Sequence, residues 1–302
     1  MMDSRFLRLD TEDLCALVSE FDSAQTVAEE LLAHPDGGPG RHAGPGGRLL
    51  ELRGDTAVLR DPGGDLCALP ASGLYACRVA ALTALAANQL LDPGVVTASL
   101  IGSGAAGRIQ LLVIARSVPD VSHVAVHSPG GPHASPVDSG IAGVLEATGI
   151  GLTVAASPEE ATFGASLVVV TEPVVSEPCL GHLAPGSVLV NATGRSLREE
   201  TTGCVSAVYV DDLGLLDAAG SGPGRPGSAA GRVPVPAGGR LGVEADLRQV
   251  FTGEHPGRAC ADHVLLVELL SGAAPGTRLD VALAERIHRT ALCHGLGALS
   301  PG

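Results

Sequence analysis

The sequence predicts an α/β protein built around a parallel sheet, and two observations carry that expectation. Between Val95 and Val210, short and continuously apolar stretches alternate with helical sequence, the pattern left by a parallel sheet covered on both faces. The first of those stretches, Val95 to Ile101, runs directly into Gly102-Ser103-Gly104-Ala105-Ala106-Gly107, after which Arg108 to Ser117 continues as a helix. A G-x-G-x-x-G turn between a strand and a helix is the phosphate-cradling turn of a Rossmann nucleotide-binding unit. The 302 residues suffice for two modest domains, at roughly 150 residues each.

The elements follow in order. Residues 11 to 33 read as helix, with Thr11 as N-cap, acids in the first turn and Leu14, Leu17, Val18 and Phe21 at helical spacing. A break at Asp22-Ser23 starts a second helix through Leu32. Gly and Pro dominate His34 to Gly47, which is a loop. Leu49 to Leu52, Thr56 to Leu59 and Leu66 to Leu69, separated by Gly-Asp and Pro-Gly-Gly turns, read as an antiparallel meander. Residues 72 to 91 form an Ala- and Leu-rich helix stopped by Asp92-Pro93-Gly94.

Beyond the glycine turn, His123 to His127, Leu152 to Ala156, Leu167 to Thr171, Val188 to Asn191 and Ala207 to Val210 supply further strands. Leu213 to Arg240, rich in Gly, Pro and Ala, reads as a long surface loop. Val243 to Val250 and Thr277 to His294 read as helices, the second with a wide apolar face.

Composition excludes several functions. A net charge of -14 repels a phosphate backbone, so nucleic acid is not an expected partner. All 19 basic residues are Arg, which removes any Schiff-base, P-loop or general-base lysine from consideration. The seven cysteines form no C-x-x-C pair and read mostly as small buried hydrophobes of a reducing compartment. Met1 to Asp13 carries four acidic and two basic residues, unlike a signal peptide. No apolar run reaches the roughly 18 residues a bilayer demands. The expectation is a soluble, cytoplasmic protein without membrane partners, and no His/Cys/Asp/Glu set has metal-ligand spacing.

In the glycine turn, Gly102 is expected to permit the tight turn, Gly104 to let the backbone approach a pyrophosphate, and Gly107 to let helix and strand pack. An NAD-binding unit ordinarily ends its second strand with an acid that accepts the adenosine ribose 2′-hydroxyl. Here that strand ends at His127-Ser128-Pro129-Gly130. The missing acid removes a repulsion against a 2′-phosphate, to which His127 and Ser128 are able to donate. NAD and NADP both stay open as cofactors, with a slight lean to NADP.

Arg78-Val79-Ala80-Ala81, Ser99-Leu100-Ile101-Gly102-Ser103-Gly104, Val168-Val169-Val170-Thr171, Val190-Asn191-Ala192-Thr193-Gly194 and Gly257-Arg258-Ala259 before an apolar helix occur in a suggestive order and spacing. In these motifs the sequence resembles the ornithine cyclodeaminase/mu-crystallin family from about Thr11 to Gly297. The resemblance implies a split architecture. Residues 1–94 with 242–302 would form a substrate-binding and dimerisation domain around a Rossmann dinucleotide-binding domain at 95–241, in a homodimer. It also implies that Thr171 and Asn191 join the glycine turn in holding the cofactor, that Arg78 matches a clamp for the substrate carboxylate, and that Arg41 is a candidate second clamp. Arg suits that task because its planar fork gives a carboxylate two charge-assisted hydrogen bonds.

The departures are informative. Family members carry strands with a substrate-binding lysine between the first helices and the clamp helix, and here that stretch is shortened and lysine-free. Family cyclodeaminases place an acid two residues after the glycine of N-A-x-G, where this sequence has Ser196. Ornithine cyclodeamination is therefore disfavoured. Arg195 and Arg198 are available to an anionic substrate group or a cofactor phosphate, or serve as surface charges. His182, and His263 at the expected start of a helix, are candidate proton donors with structural roles as the alternative.

The resemblance thus implies an NAD(P)-dependent oxidoreductase acting on an amino acid or an imino or keto acid, of the ketimine reductase or amino-acid dehydrogenase type, suited to a specialised biosynthetic step. A cyclodeaminase-like lyase with bound NAD, or a non-catalytic ligand-binding relative, is the alternative.

Overall fold

The structure, a computed structural model, describes residues 5–33, 47–130, 135–172, 183–195, 197, 203–215, 242–270 and 277–301. In chain order the elements of the first part are β1 (Arg5–Arg8), α1 (Thr11–Val18), α2 (Ser23–Ala33), β2 (Leu49–Arg53), β3 (Thr56–Asp61), β4 (Gly64–Pro70) and α3 (Ala71–Leu90). Then come β5 (Val96–Ile101), α4 (Gly104–Ser117), β6 (Val121–His127), α5 (Ser139–Ala147), β7 (Gly151–Val154), α6 (Pro158–Thr162), β8 (Leu167–Val170) and β9 (Val188–Asn191). The last are β10 (Ala207–Val210), β11 (Val243–Asp246), α7 (Leu247–Phe251), β12 (Leu265–Glu268), α8 (Arg278–His294) and β13 (Ala298–Pro301).

The strands form two sheets. Eight parallel strands lie in the order β11-β10-β12-β9-β8-β5-β6-β7. From β7 to β9 this is the 3-2-1-4-5 part of the doubly wound Rossmann order; β12 then lies between β9 and β10, and β11 forms the edge. The four central strands β8, β9, β10 and β12 are buried at every residue, as the uninterrupted apolar runs require. The second sheet, β13-β1-β4-β3-β2, contains the meander, in antiparallel pairing as expected.

Between the sheets lies α3, whose 20 residues include 15 that are buried. At about 1.5 Å per residue it spans roughly 30 Å. Small side chains allow this: a Cβ on Gly73 would come within 2.4 Å of the Leu14 side chain. One continuous apolar cluster runs from α1 and α2 through α3 and α4 to α8, and a second, smaller one covers the opposite face of the large sheet.

Local differences from the sequence reading have physical causes. The first helix is capped by Asp10, not Thr11, because Asp10 and Asp13 form a reciprocal capping box. Val243 to Val250 is not one helix: Val243–Asp246 pairs with β10, and Asp246 then caps the short α7. The apolar run after Gly257-Arg258-Ala259 is β12, not a helix. Val-rich and Leu-rich runs of this length fit either element, and pairing with β9 and β10 decides. Residues 242–270, assigned from sequence to the substrate-binding domain, thus supply two strands of the eight-stranded parallel sheet. β1 and β13, which the sequence reading did not contain, pair antiparallel with each other. Most of the loop expected at 213–240 lies outside the described residues.

Arg258 explains part of this packing. Its guanidinium donates to the carbonyls of Leu90, Ala261, His263 and Gly186, tying the end of α3 to the turns before β9 and β12. Tyr209 adds a hydrogen bond to the Gly257 carbonyl at 2.8 Å. This arginine is spent on backbone acceptors, which are costly to bury unmet.

Candidate dinucleotide and substrate site

The carboxyl ends of the eight parallel strands bring the sequence-selected residues to one edge. There β5 gives way to the glycine turn. Gly102 does not need glycine's rotational freedom; it needs glycine's size, since a Cβ there would sit 1.9 Å from Thr171 Oγ1. Gly104 is the position that does need the freedom, with φ +54°, and a Cβ there would meet nothing within 4 Å. It faces open space at the first turn of α4. A Cβ on Gly107 would lie 2.8 Å from Pro136, so this glycine permits close packing, as expected.

The amino terminus of α4 is left available. Ser103 is the N-cap, but its side chain makes no capping bond, and Ala105 and Ala106 add only small side chains to the exposed first turn. Uncapped N–H groups together with the helix dipole suit an anion. On the neighbouring strand the His127 carbonyl accepts from Gly102 N–H at 3.0 Å, and His127 Nδ1 lies 3.3 Å from the Ala155 carbonyl. The Ser128 hydroxyl is buried with no hydrogen-bond partner among the described residues. An open anion cradle flanked by an unsatisfied hydroxyl fits a dinucleotide phosphate and sugar.

Across the turn, β8 ends at Thr171-Glu172. Thr171 Oγ1 lies 3.4 Å from the Ile101 carbonyl, and Glu172 Oε1 accepts the Ser103 hydroxyl. Sequence reasoning missed Glu172, because an acid one residue beyond a strand has no special signature until the topology sets that strand beside the turn.

At the end of β9, Asn191 is almost wholly buried and saturated. Its Nδ2 donates to the Arg195 carbonyl at 2.7 Å and to Glu268 Oε2 at 2.6 Å. Its Oδ1 accepts from Thr193 N and Oγ1. The partners fix the amide orientation, since two are acceptors and two are donors. They fold residues 191–195 into a compact turn in which Gly194 has φ +66°. Arg195 is exposed and contributes its backbone here.

Glu268, at the end of β12, is the second residue the sequence did not disclose. It is 5% exposed, its Oε1 has no hydrogen-bond partner among the described residues, and Asp211 at the end of β10 faces the same region. Burial pushes its carboxyl up to about 7; the Asn191 hydrogen bond opposes this and the Asp211 charge adds to it. A carboxyl that titrates near neutrality is thus built against the Asn191 turn.

Arg78 is placed by α3 behind this edge. Its guanidinium lies 5.3 Å from the centre of the Tyr75 ring, and the Tyr75 hydroxyl lies 4.0 Å from where a Gly194 Cβ would be. The Arg78 side chain is 0% exposed and ion-paired at 2.6 Å with Asp280, equally buried, on α8. It also donates to Thr277 Oγ1 at 3.1 Å. The carboxylate that Arg78 is seen to hold is the chain's own. His263 lies in the turn that precedes β12, at the amino edge of the sheet and away from the glycine turn, and does not start a helix. Arg41, His182, Ser196 and Arg198 lie outside the described residues.

Among the described residues no group of three or more His, Cys, Asp or Glu is arranged to hold a metal ion, and no helix is long and apolar enough to cross a membrane. Cys15, Cys67 and Cys77 are buried, whereas Cys260 and Cys293 are exposed, so only part of the set behaves as core. Burial pushes the Cys67 and Cys77 thiols up to about 12, which makes them inert fillers.

No protein-family model and no curated protein sequence matches the chain. Solved structures do. CmnK is 22% identical with a TM-score of 0.69, over 98% of each chain. The Δ1-pyrroline-2-carboxylate reductase of Thermococcus litoralis, solved with NADH and L-proline, is 18% identical with a TM-score of 0.65, over 97% of this chain and 99% of that one. A protein described as a probable ornithine cyclodeaminase of Bordetella pertussis Tohama I is 19% identical with a TM-score of 0.61, over 97% and 99%. The resemblance to the ornithine cyclodeaminase/mu-crystallin family read from the sequence therefore extends to the fold, along nearly the whole chain: a Rossmann-type dinucleotide-binding sheet with a second α/β unit.

Proposed function

We propose that this chain is an NAD(P)-dependent oxidoreductase that moves a hydride between the nicotinamide and the Cα of an amino acid or its imine. The observation that carries the reading is the open, uncapped glycine turn at the strand-order reversal, edged by Thr171, Asn191 and Glu268. The shared fold with a reductase that holds NADH and L-proline supports it. The nicotinamide supplies the hydride chemistry, and the chain supplies binding and orientation. The turn of residues 102–107 would hold the pyrophosphate, and the Asn191 turn would border the nicotinamide end. Incubation with NAD(P)H, a 2-oxo acid with an amine donor, or a cyclic imino acid, is expected to oxidise nicotinamide stoichiometrically. No net oxidation with any of these substrates would overturn it.

Gly104→Asp is expected to lower nucleotide affinity at least a hundredfold with little change in melting temperature. The new carboxylate would stand in the open cradle against the pyrophosphate, while Asp tolerates the left-handed backbone better than most residues do. Unchanged affinity in a calorimetric titration would remove the turn from the site. The same titration with NADPH and NADH tests the preference for NADP, which the unsatisfied Ser128 hydroxyl and the absence of an acid at His127 favour; tighter NADH binding would reverse it.

A second reading has its own observation. Because the Arg78 guanidinium is enclosed and holds Asp280, a ligand-binding relative without turnover is the alternative, and nucleotide binding without any oxidation would select it. Arg78 and Arg41 remain our candidates for the substrate carboxylate, with residues 1–94 and the C-terminal helix as the substrate-binding half. We further infer a homodimer, on the grounds that among the described residues β2 is a sheet edge with no partner strand, with Leu49 and Leu52 exposed, and such edges are ordinarily covered. A monomeric mass by light scattering at micromolar concentration would contradict it.

A further inference from the structure

The strand order reverses between β5 and β8: β6 and β7 continue on one side, β9 and β12 on the other. A dinucleotide laid across that reversal keeps its pyrophosphate on the glycine turn and sends one ribose to each side. On the β6 side the chain offers His127 and Ser128 and no acid. On the β8 side it offers Glu172, directed back at the turn and holding the Ser103 hydroxyl. A carboxylate beside a pyrophosphate cradle weakens anion binding by like-charge repulsion. The same carboxylate is a strong acceptor for neutral hydroxyls, and a vicinal diol presents two.

We propose that Glu172 is the ribose-binding acid of this chain. It stands at the end of the fourth strand of the Rossmann order, not the second, and accepts the 2′- and 3′-hydroxyls of the ribose on the nicotinamide side. The proposal rests on reading the crevice as a dinucleotide site. In the structure the Ser103 hydroxyl satisfies Glu172. Ligand binding exchanges that internal donor for the diol and releases Ser103 Oγ towards the phosphate, so neither group loses its hydrogen bond. The selectivity that follows is for nucleotides with a second ribose: ADP-ribose fits the arrangement, whereas ADP presents its charge without the diol.

The test is calorimetric titration of wild type and Glu172→Ala with ADP and with ADP-ribose, neither of which requires turnover. Hydrogen bonds to a charged acceptor contribute enough for about a tenfold preference. Wild type is expected to bind ADP-ribose about tenfold more tightly than ADP. Glu172→Ala is expected to bind the two equally, with ADP bound at least as tightly as by wild type because the like charge is gone, which also reports that the variant is folded. A preference for ADP-ribose that survives the substitution would overturn the assignment. So would tighter binding of ADP-ribose by the variant than by wild type, which would mark Glu172 as only a repulsive neighbour of the phosphates. Wild type that binds neither ligand would overturn the dinucleotide reading itself.

Discussion

Asp280→Ala is expected to destabilise the fold by about 3–5 kcal/mol, the usual cost of withdrawing one partner from a buried ion pair. Both side chains of the Arg78–Asp280 pair are fully enclosed, at 2.6 Å, and water has no access to make up for a lost carboxylate. Asp280 also accepts from Thr277 N–H in the capping box of α8, so the loss includes about 1 kcal/mol of helix capping. Replacing both partners with apolar residues, in Arg78→Met/Asp280→Leu, is expected to recover most of the deficit, because desolvating two charges roughly cancels their attraction. Urea denaturation measures both. A single variant within 1 kcal/mol of wild type would show that the pair does not hold α3 to α8. The double variant has a second use. If Arg78 also grips a substrate carboxylate, it should fold and bind nucleotide normally yet lose at least tenfold in substrate use. Normal turnover would move the search to Arg41, Arg195 and Arg198.

Glu268→Gln is expected to stabilise the protein by up to about 3 kcal/mol above neutrality and by almost nothing near pH 4.5. With the carboxyl pushed up to about 7 in the folded chain, the folded state retains a proton that the unfolded state releases near 4.5. Stability is therefore lost as pH rises from about 4.5 to about 7 and is level beyond it. Each pKa unit corresponds to about 1.4 kcal/mol. Glutamine keeps the carbonyl acceptor for Asn191 Nδ2 and never ionises. The difference in melting temperature between variant and wild type should widen from pH 5 to pH 8. A difference that stays constant with pH would show that Glu268 does not change charge over this range.

The parallel sheet, the meander and the glycine turn were legible in the sequence because each follows from local pattern: uninterrupted apolar runs, turn residues, and a strand entering G-x-G-x-x-G. What stayed hidden depends on neighbours remote in sequence. Val243–Asp246 reads as helix in isolation and becomes a strand because β10 offers it an edge. Arg78 reads as a free clamp until α8, about 200 residues later, brings Asp280 against it. Glu172, just past a strand, and Glu268, within an apolar run, carry no signature in the sequence until the strand order seats one beside Ser103 and the other beside Asn191. The role of Gly102 was also misread, since its reason is the bulk of Thr171 and not the shape of the turn.

The enclosure of α3 has a mechanical consequence. With only Ser72, Asn88 and Gln89 exposed, the helix has no lubricated side. A slide or rotation of even a fraction of a turn drives alanines into close-packed neighbours. Any relative movement of the two sheets would therefore have to be taken up outside this helix. The link to β5 is suited to that: Asp92-Pro93-Gly94-Val95 is exposed for most of its length, and Gly94 has φ +146° with nothing within 4 Å of where a side chain would stand. Four exposed residues thus separate a helix with no freedom to slide from the first strand of the parallel sheet.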